Sequence, residues 1–193
     1  MGKFLILLVL LAVVQPAFAG EGNKEAFIDK TGKIIVPIRP ETTMVFPQKF
    51  QLGLAAMQQG SLYGYIDRSG NIAIKPSFLK AFPFNEQLAA VKDKTNKWGY
   101  IDKTGAYKIK PRFDSALSFE NGYAIVSKNR KSNFINKHGK ILSKTYFDHC
   151  GCFSEEGLAP IALADKWGYL NKKGQIEIPF DVPPFFRSNQ KKR

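Results

Sequence analysis

The chain has 193 residues, 29 Lys and Arg against 16 Asp and Glu, a formal charge of +13, and two cysteines. That length holds one sizeable domain or one repeat array. The charge favours anionic partners but specifies none. The one long apolar run, Phe4 to Val14, is too short to cross a bilayer, which excludes a membrane-spanning helix.

Residues 1–19 read as an export signal. Lys3 gives a basic start, the apolar run follows, Pro16 breaks it, and Ala17-Phe18-Ala19 is a small-x-small cleavage site. No cysteine follows that site, which argues against lipid attachment. The mature chain is expected to begin near Gly20 and to be periplasmic or secreted. Loss of Lys3 leaves it with 28 basic and 16 acidic residues, a charge of +12.

From Phe27 onward one sentence recurs. It reads Phe27-Ile28-Asp29-Lys30-Thr31-Gly32, Gly64-Tyr65-Ile66-Asp67-Arg68-Ser69-Gly70 and Gly99-Tyr100-Ile101-Asp102-Lys103-Thr104-Gly105. It returns as Asn133-Phe134-Ile135-Asn136-Lys137-His138-Gly139 and Gly168-Tyr169-Leu170-Asn171-Lys172-Lys173-Gly174. The closing glycines are 38, 35, 34 and 35 residues apart, a period that marks a repeat architecture.

Asp or Asn at the first turn position and Gly at the fourth is type I turn chemistry. Asp29/Gly32, Asp67/Gly70, Asp102/Gly105, Asn136/Gly139 and Asn171/Gly174 are therefore assigned to hairpin turns. A strand precedes each turn and another follows, stopped by Pro37, Pro76, Pro111 or Pro179, with Thr145 in the proline's place in the fourth copy. Aromatic pairs come next: Phe78 and Phe84, Phe113 and Phe119, Phe147 and Phe153, Phe180 and Phe186. A third strand follows, as in Leu88-Ala89-Ala90-Val91. The expectation is an all-β fold of about 35-residue units, three short strands each, since one unit cannot bury its own apolar face. The units lie near 26–63, 64–98, 99–132 and 133–167, with a partial unit at 168–186 and a basic tail at 187–193. Stacking as a superhelical or barrel-like sheet is preferred over a small propeller-like closure, because propeller blades carry four strands.

These residues resemble the bacterial WG-repeat family. Lys97-Trp98-Gly99-Tyr100-Ile101-Asp102-Lys103-Thr104-Gly105 matches its Trp-Gly hairpin, and Phe153-Ser154-Glu155-Glu156-Gly157-Leu158-Ala159 its third strand. Tyr63 and Ser132 replace the tryptophan, and Asn133 replaces the glycine. The resemblance implies an all-β repeat fold with a binding or scaffolding role, and supplies no catalytic residues.

Several motifs mimic chemistry. Ser77-x-x-Lys80 with two Lys-Thr-Gly triplets imitates penicillin-binding enzymes, but the triplets are turns and the Ser-Asp-Asn element is missing. Replacement of the repeat aspartate by Asn136 and Asn171 keeps a turn hydrogen bond and loses a charge, which general acid–base work does not tolerate. Glu86, Glu120 and Glu155 recur near the third strand and are read the same way. His149-Cys150-Gly151-Cys152 is the local oddity, open to three readings: thiols or a local Cys150–Cys152 bridge, a redox pair, or a metal site with His149 and His138. Tyr63, Trp98 and Trp167, with the basic Arg130 and Lys131, form either inter-repeat core or a ligand-stacking surface.

The expected function is a non-enzymatic binding or scaffold module for a protein or polymer in the cell envelope. A charge-based binder of lipopolysaccharide, nucleic acid or acidic cell-wall polymer is the alternative, and a small thiol oxidoreductase or hydrolase ranks third. No cofactor, metal or catalytic residue is expected.

Overall fold

A computed structural model describes residues 50–180 in full, and by backbone alone Phe27–Ile28, Ile34–Val36, Thr42–Met44 and positions 181–182. The expected leader, Asp29 and Gly32, Phe186 and the basic tail lie outside the described residues. Seventeen strands and no helix are described: β1 (Phe27–Ile28), β2 (Ile34–Val36), β3 (Thr42–Met44), β4 (Leu54–Gln59), β5 (Leu62–Asp67), β6 (Ile72–Phe78), β7 (Lys80–Ala81), β8 (Ala89–Lys92), β9 (Trp98–Ile101), β10 (Tyr107–Phe113), β11 (Ser115–Ala116), β12 (Tyr123–Lys128), β13 (Lys131–Asn136), β14 (His149–Cys150), β15 (Leu158–Leu163), β16 (Lys166–Asn171) and β17 (Ile176–Val182).

They form antiparallel meanders in chain order: β1-β2, β3-β4-β5-β6, β7-β8-β9-β10, β11-β12-β13 and β14-β15-β16-β17. Each third strand pairs with the hairpin that follows it, so the sheets are out of phase with the sequence units. A further two- or three-residue strand opens each sheet. It is too short to show a β pattern, and with it three of the sheets reach the four strands of a propeller blade. Among the described residues no ladder joins one sheet to the next, so the stack is not a barrel.

Three of the prolines do not stop their strands; Pro37 lies outside the described residues. β6, β10 and β17 run through Pro76, Pro111 and Pro179. Each is the last strand of its sheet, where a missing N–H costs no ladder bond. A bulge carries the proline: Ile109 faces Tyr100 and Phe113 faces Trp98, with three residues between on one strand and one on the other. The single residue is Gly99. A Cβ there would lie 2.6 Å from the Ile109 carbonyl and 2.7 Å from the Pro111 nitrogen, which is why the repeat writes Trp-Gly. In the last sheet Val182, not Phe180, faces Trp167, so Phe180 is not the register counterpart of Phe78 and Phe113.

The inner sheets are sandwiched, so their central strands are apolar on both faces. In β4, Ala55 and Met57 enter one core while Leu54 and Ala56 enter the next. Tyr65, Ile74 and Phe78 of one sheet pack on Ala81, Phe84, Ala89, Val91 and Ile101 of the following one. The same set recurs as Tyr100, Ile109 and Phe113 against Ala116, Phe119, Ala124, Val126 and Ile135. The expected aromatic plugs sit here, with Phe84 4.9 Å from Tyr65 and Phe119 4.8 Å from Tyr100.

Two-residue turns lead into the central strands, and one is strained. Asn85 and Leu88 exchange backbone bonds of 2.9 and 3.0 Å around Glu86 (φ 47) and Gln87 (φ 77). A primed turn needs both residues left-handed, and the matching position elsewhere is Gly53 or Gly122. Gln87→Gly is expected to stabilise the protein by about 1 kcal/mol, read as a higher urea midpoint at unchanged slope. An unchanged or lower midpoint would show that the turn is not strained.

Candidate functional site

The repeated turns come first, because they place every Asx side chain. Asp67 accepts from the backbone N–H of Ser69 at 2.8 Å and of Asn71 at 2.9 Å. Asp102 accepts from Thr104 N and Ala106 N, Asn136 from His138 N and Lys140 N, and Asn171 from Lys173 N and Gln175 N. Gly70, Gly105, Gly139 and Gly174 close these turns at φ between 76° and 86°. Each of these side chains is engaged with its own backbone.

The turn bonds have an acid-side consequence. The Thr104 hydroxyl, then backbone N–H groups and Lys108, hold the Asp102 carboxyl at about 2. The Asn71 N–H is the main cause that lowers Asp67. A depressed carboxylate contributes stability above its unfolded value near 4 and loses it as pH falls through the folded value. The melting temperature of the wild type should therefore fall between about pH 4 and pH 2. Asp102→Asn, which copies the turns at Asn136 and Asn171, should melt like the wild type at neutral pH and fall less in acid. Equal acid profiles would discount the turn as the cause.

Successive turns pack one upon the next. The Arg112 guanidinium donates to the Gly139 carbonyl at 2.5 Å, and Lys137 pairs with Glu86 at 3.1 Å. Both Glu86 oxygens accept from Gly122 N. The two central residues of every turn stay exposed, which lines up Arg68, Lys103, Lys137, Lys172 and Lys173 along one end of the stack.

Two carboxylates missing from the sequence reading brace the opposite end. Asp114 accepts from Lys97 Nζ and from Asn129 N at 2.7 Å, tying the β8–β9 hairpin to the β12–β13 hairpin. Asp148 repeats this with Lys131 and Ala164 N. The signal was present as the recurring pair Phe113-Asp114 and Phe147-Asp148.

The aromatic surface does not form as one row. Trp98 is 8% exposed and stacks on Phe82 at 5.1 Å, so it is core and not a platform for a ligand. Tyr63 is half-buried against the same core as Tyr65. Trp167 is half-buried beside an exposed His149, ring centres 6.3 Å apart. Arg130 and Lys131 are exposed, the latter paired with Asp148.

The irregular unit holds a shallow cleft. Tyr65 and Tyr100 donate to the Phe82 and Leu117 carbonyls at 2.7 and 2.8 Å. One repeat later Phe134 has no hydroxyl, and Gly151 stands where Phe82 and Leu117 have side chains. The resulting cleft, about 250 Å³ with its open mouth, is lined by Leu117, Glu120, Tyr123, Phe134, Cys152 and Phe153. Most of that volume is open solvent, and the enclosed space is about 20 Å³, far below a small-molecule pocket. Gly151 is fixed by Pro160, whose ring would lie 2.6 Å from an added Cβ. Cys150 and Cys152 are free thiols, so the bridge their spacing allows is not formed. Burial pushes Cys150 up to about 12, and burial with the Glu120 carboxylate raises Cys152. Both thiols are raised above the ordinary cysteine value, which leaves little thiolate at neutral pH for nucleophilic or redox attack. Among the described residues, no three or more His, Cys, Asp or Glu side chains are grouped to hold a metal, and His138 and His149 do not form such a site.

Solved structures and one family model resemble this chain. The computationally designed Ika8 protein is similar over 80% of this chain and 54% of its own, at 11% identity and a TM-score of 0.49. BamB from Moraxella catarrhalis, a propeller-like neighbour, is similar over 79% of this chain and 53% of its own, at 11% identity and a TM-score of 0.51. The chain thus spans about half the length of these structures. No curated protein matches it. Residues 63–98, 98–131, 134–167 and 167–181 match the model of the WG containing repeat, and since these matches cover more than half of the sequence, the chain belongs to the WG-repeat family.

Proposed function

We propose that the protein is an exported, non-enzymatic repeat module that binds or scaffolds a protein or polymer partner in the cell envelope. One observation carries this reading. The repeat's Asx side chains are engaged in turns and its glycines and most of its aromatics in packing, so the fold offers a partner its aligned, exposed turn ends. Such rows of equivalent side chains suit an extended ligand better than a small one. The test is capture from a solubilised envelope fraction at low and physiological salt. Saturable retention at physiological salt is expected, and no retention at either salt would overturn the reading.

A second reading rests on the sign of that row. Arg68, Lys103, Lys137, Lys172 and Lys173 are basic, and the chain carries +13 overall. Binding to an anionic polymer through them would weaken steeply with salt, as counterion release requires. Retention on heparin that is flat between low and physiological salt would remove this alternative. A thiol oxidoreductase or hydrolase draws no support from two protonated thiols and carboxylates engaged in turns.

A further inference from the structure

The cations of the described chain gather on one side, and we propose that its outer strands form a surface that docks on an anionic lipid bilayer. This surface depends on the anionic-partner reading above and deepens it: the contact moves from the turn tips to the outer strands, and the polymer becomes a bilayer.

Each hairpin turn leads into the outermost strand of its sheet, β6, β10 or β17, or in the irregular unit into the segment 140–147. These elements follow one another across the stack. A Cβ added to Gly105 would lie 3.1 Å from Ile74 of β6, and one on Gly139 would lie 3.1 Å from Ile109 of β10. One on Gly174 would lie 2.3 Å from the Leu142 carbonyl of the irregular segment. The Tyr107 ring of β10 is 6.3 Å from that of Phe78 of β6. Turns and outer strands thus form one continuous side of the molecule.

That side is where the charge lies. Residues 68–78, 103–113, 137–147 and 172–180 hold eleven Lys and Arg against one acid, Glu177. The remainder of 50–180 holds eight basic and ten acidic residues. Asp67 and Asp102 stand at the edge of this side, but the N–H groups of their own turns engage them. Lys75, Lys108, Lys110, Lys140 and Lys144 are exposed along it. Segregation of this kind directs the net charge at an anionic surface.

Apolar side chains are interleaved with these cations. Ile72, Tyr107 and Ile176 take one register position, opposite Ile66, Ile101 and Leu170. They are 39%, 40% and 46% exposed, although the three residues opposite are buried. In the irregular unit Ile141 holds the position, opposite Ile135, and is half-buried. Threonine would suit the strand as well and expose less apolar surface. Lysines beside exposed Ile and Tyr suit the boundary of a bilayer, where the charge meets headgroups and the apolar side chains reach below them. A nucleic acid or acidic polysaccharide would use the lysines and leave Ile72 and Ile176 in water, which favours the lipid.

The test is co-sedimentation of the mature chain from Gly20 with vesicles of equal parts phosphatidylglycerol and phosphatidylcholine. Pure phosphatidylcholine vesicles and a heparin column run beside it. Binding to the anionic vesicles and not to the neutral ones is expected. Lys75→Ala with Lys110→Ala should weaken it by about fivefold per lysine. Lys94→Ala with Lys166→Ala removes the same charge from exposed positions at the opposite end of the stack. That pair should change binding by less than about twofold, because screening confines the attraction to cations near the lipid. Ile72→Ser with Tyr107→Ser should weaken vesicle binding severalfold and leave heparin retention unchanged. Circular dichroism establishes that the variants are folded. No binding to the anionic vesicles would overturn the proposal, as would equal losses in the two lysine pairs or binding indifferent to the serine pair. Salt-sensitive heparin retention without vesicle binding overturns the bilayer and leaves the anionic polymer standing, whereas absence of both removes both.

Discussion

Replacing Gly99 by alanine is expected to destabilise the protein by about 3–5 kcal/mol. The new Cβ would meet three backbone atoms: Ile109 O at 2.6 Å, Pro111 N at 2.7 Å and Lys110 C at 3.0 Å. No flexible side chain can swing aside. Relief requires β10 to leave β9, which opens the bulge and its ladder. Nor can the sheet shift bodily, because Ala89 and Ile101 on one face and Ala90 and Tyr100 on the other are packed in separate cores. Set against a typical domain stability of about 5–15 kcal/mol, the loss removes much of what holds these two sheets together. The control is Gly53→Ala. Gly53 also turns at positive φ (80°), but an added Cβ meets nothing within 4 Å, so only backbone strain of about 1 kcal/mol is expected. Gly105→Ala falls between, combining φ 86° with a 3.1 Å approach to Ile74. Denaturant midpoints of the three variants check the order. If Gly99→Ala and Gly53→Ala were equal, close backbone approach would not be the reason for the repeat's glycine.

Much of this was legible in the chain before any coordinates. The period, the all-β class, the Asx turns and the buried phenylalanines all follow from spacing and residue type, because each is a local requirement repeated several times. The strand count was not. β7 and β11 are two residues long, and their pairing is set by the neighbouring strand rather than by their own composition. The prolines misled in the same way. Proline disfavours a central strand, but these lie on the outermost strand and inside a bulge, and that position is a property of the sheet. The functional surfaces were read less well. Trp98 looks like a ligand platform only when its partner Phe82, sixteen residues earlier, is not in view. Asp114 and Asp148 look like ordinary surface acids until two hairpins converge on each. Long-range partners of this kind leave only a faint periodic trace.

The unit that breaks the sentence provides the second large prediction. Where Gly64, Gly99 and Gly168 lie under the backbone of a neighbouring strand, Asn133 is 0% exposed and the partner strand has withdrawn to two isolated bridges, Ile135–Ile141 and Ser132–Phe147. The asparagine amide replaces the missing ladder. Its Nδ2 donates to Ser143 O at 2.8 Å and Thr145 O at 2.9 Å, and its Oδ1 accepts from Phe134 N at 2.8 Å and Ser143 N at 3.3 Å. Asn133→Ala should therefore cost about 3 kcal/mol, because buried carbonyl and N–H groups lose their partners together. Asn133→Gly should be no better, although glycine is the consensus, since the segment from Lys140 to Phe147 has no Pro-bearing bulge to press into the space. Asn133→Asp should be worst. A carboxylate cannot donate to the Ser143 and Thr145 carbonyls, and its charge would be buried against them. The sign of its pH dependence sets it apart. Burial beside two carbonyls raises the folded-state value of this carboxyl above its unfolded value. The penalty is then full at neutral pH and shrinks as acid protonates the group into a donor. Midpoints measured at pH 7 and near pH 5 should thus converge toward the alanine variant, while the wild type is nearly level. A loss under about 0.5 kcal/mol for Asn133→Ala, the usual range of an inconsequential surface change, would show that the amide does not stand in for the strand.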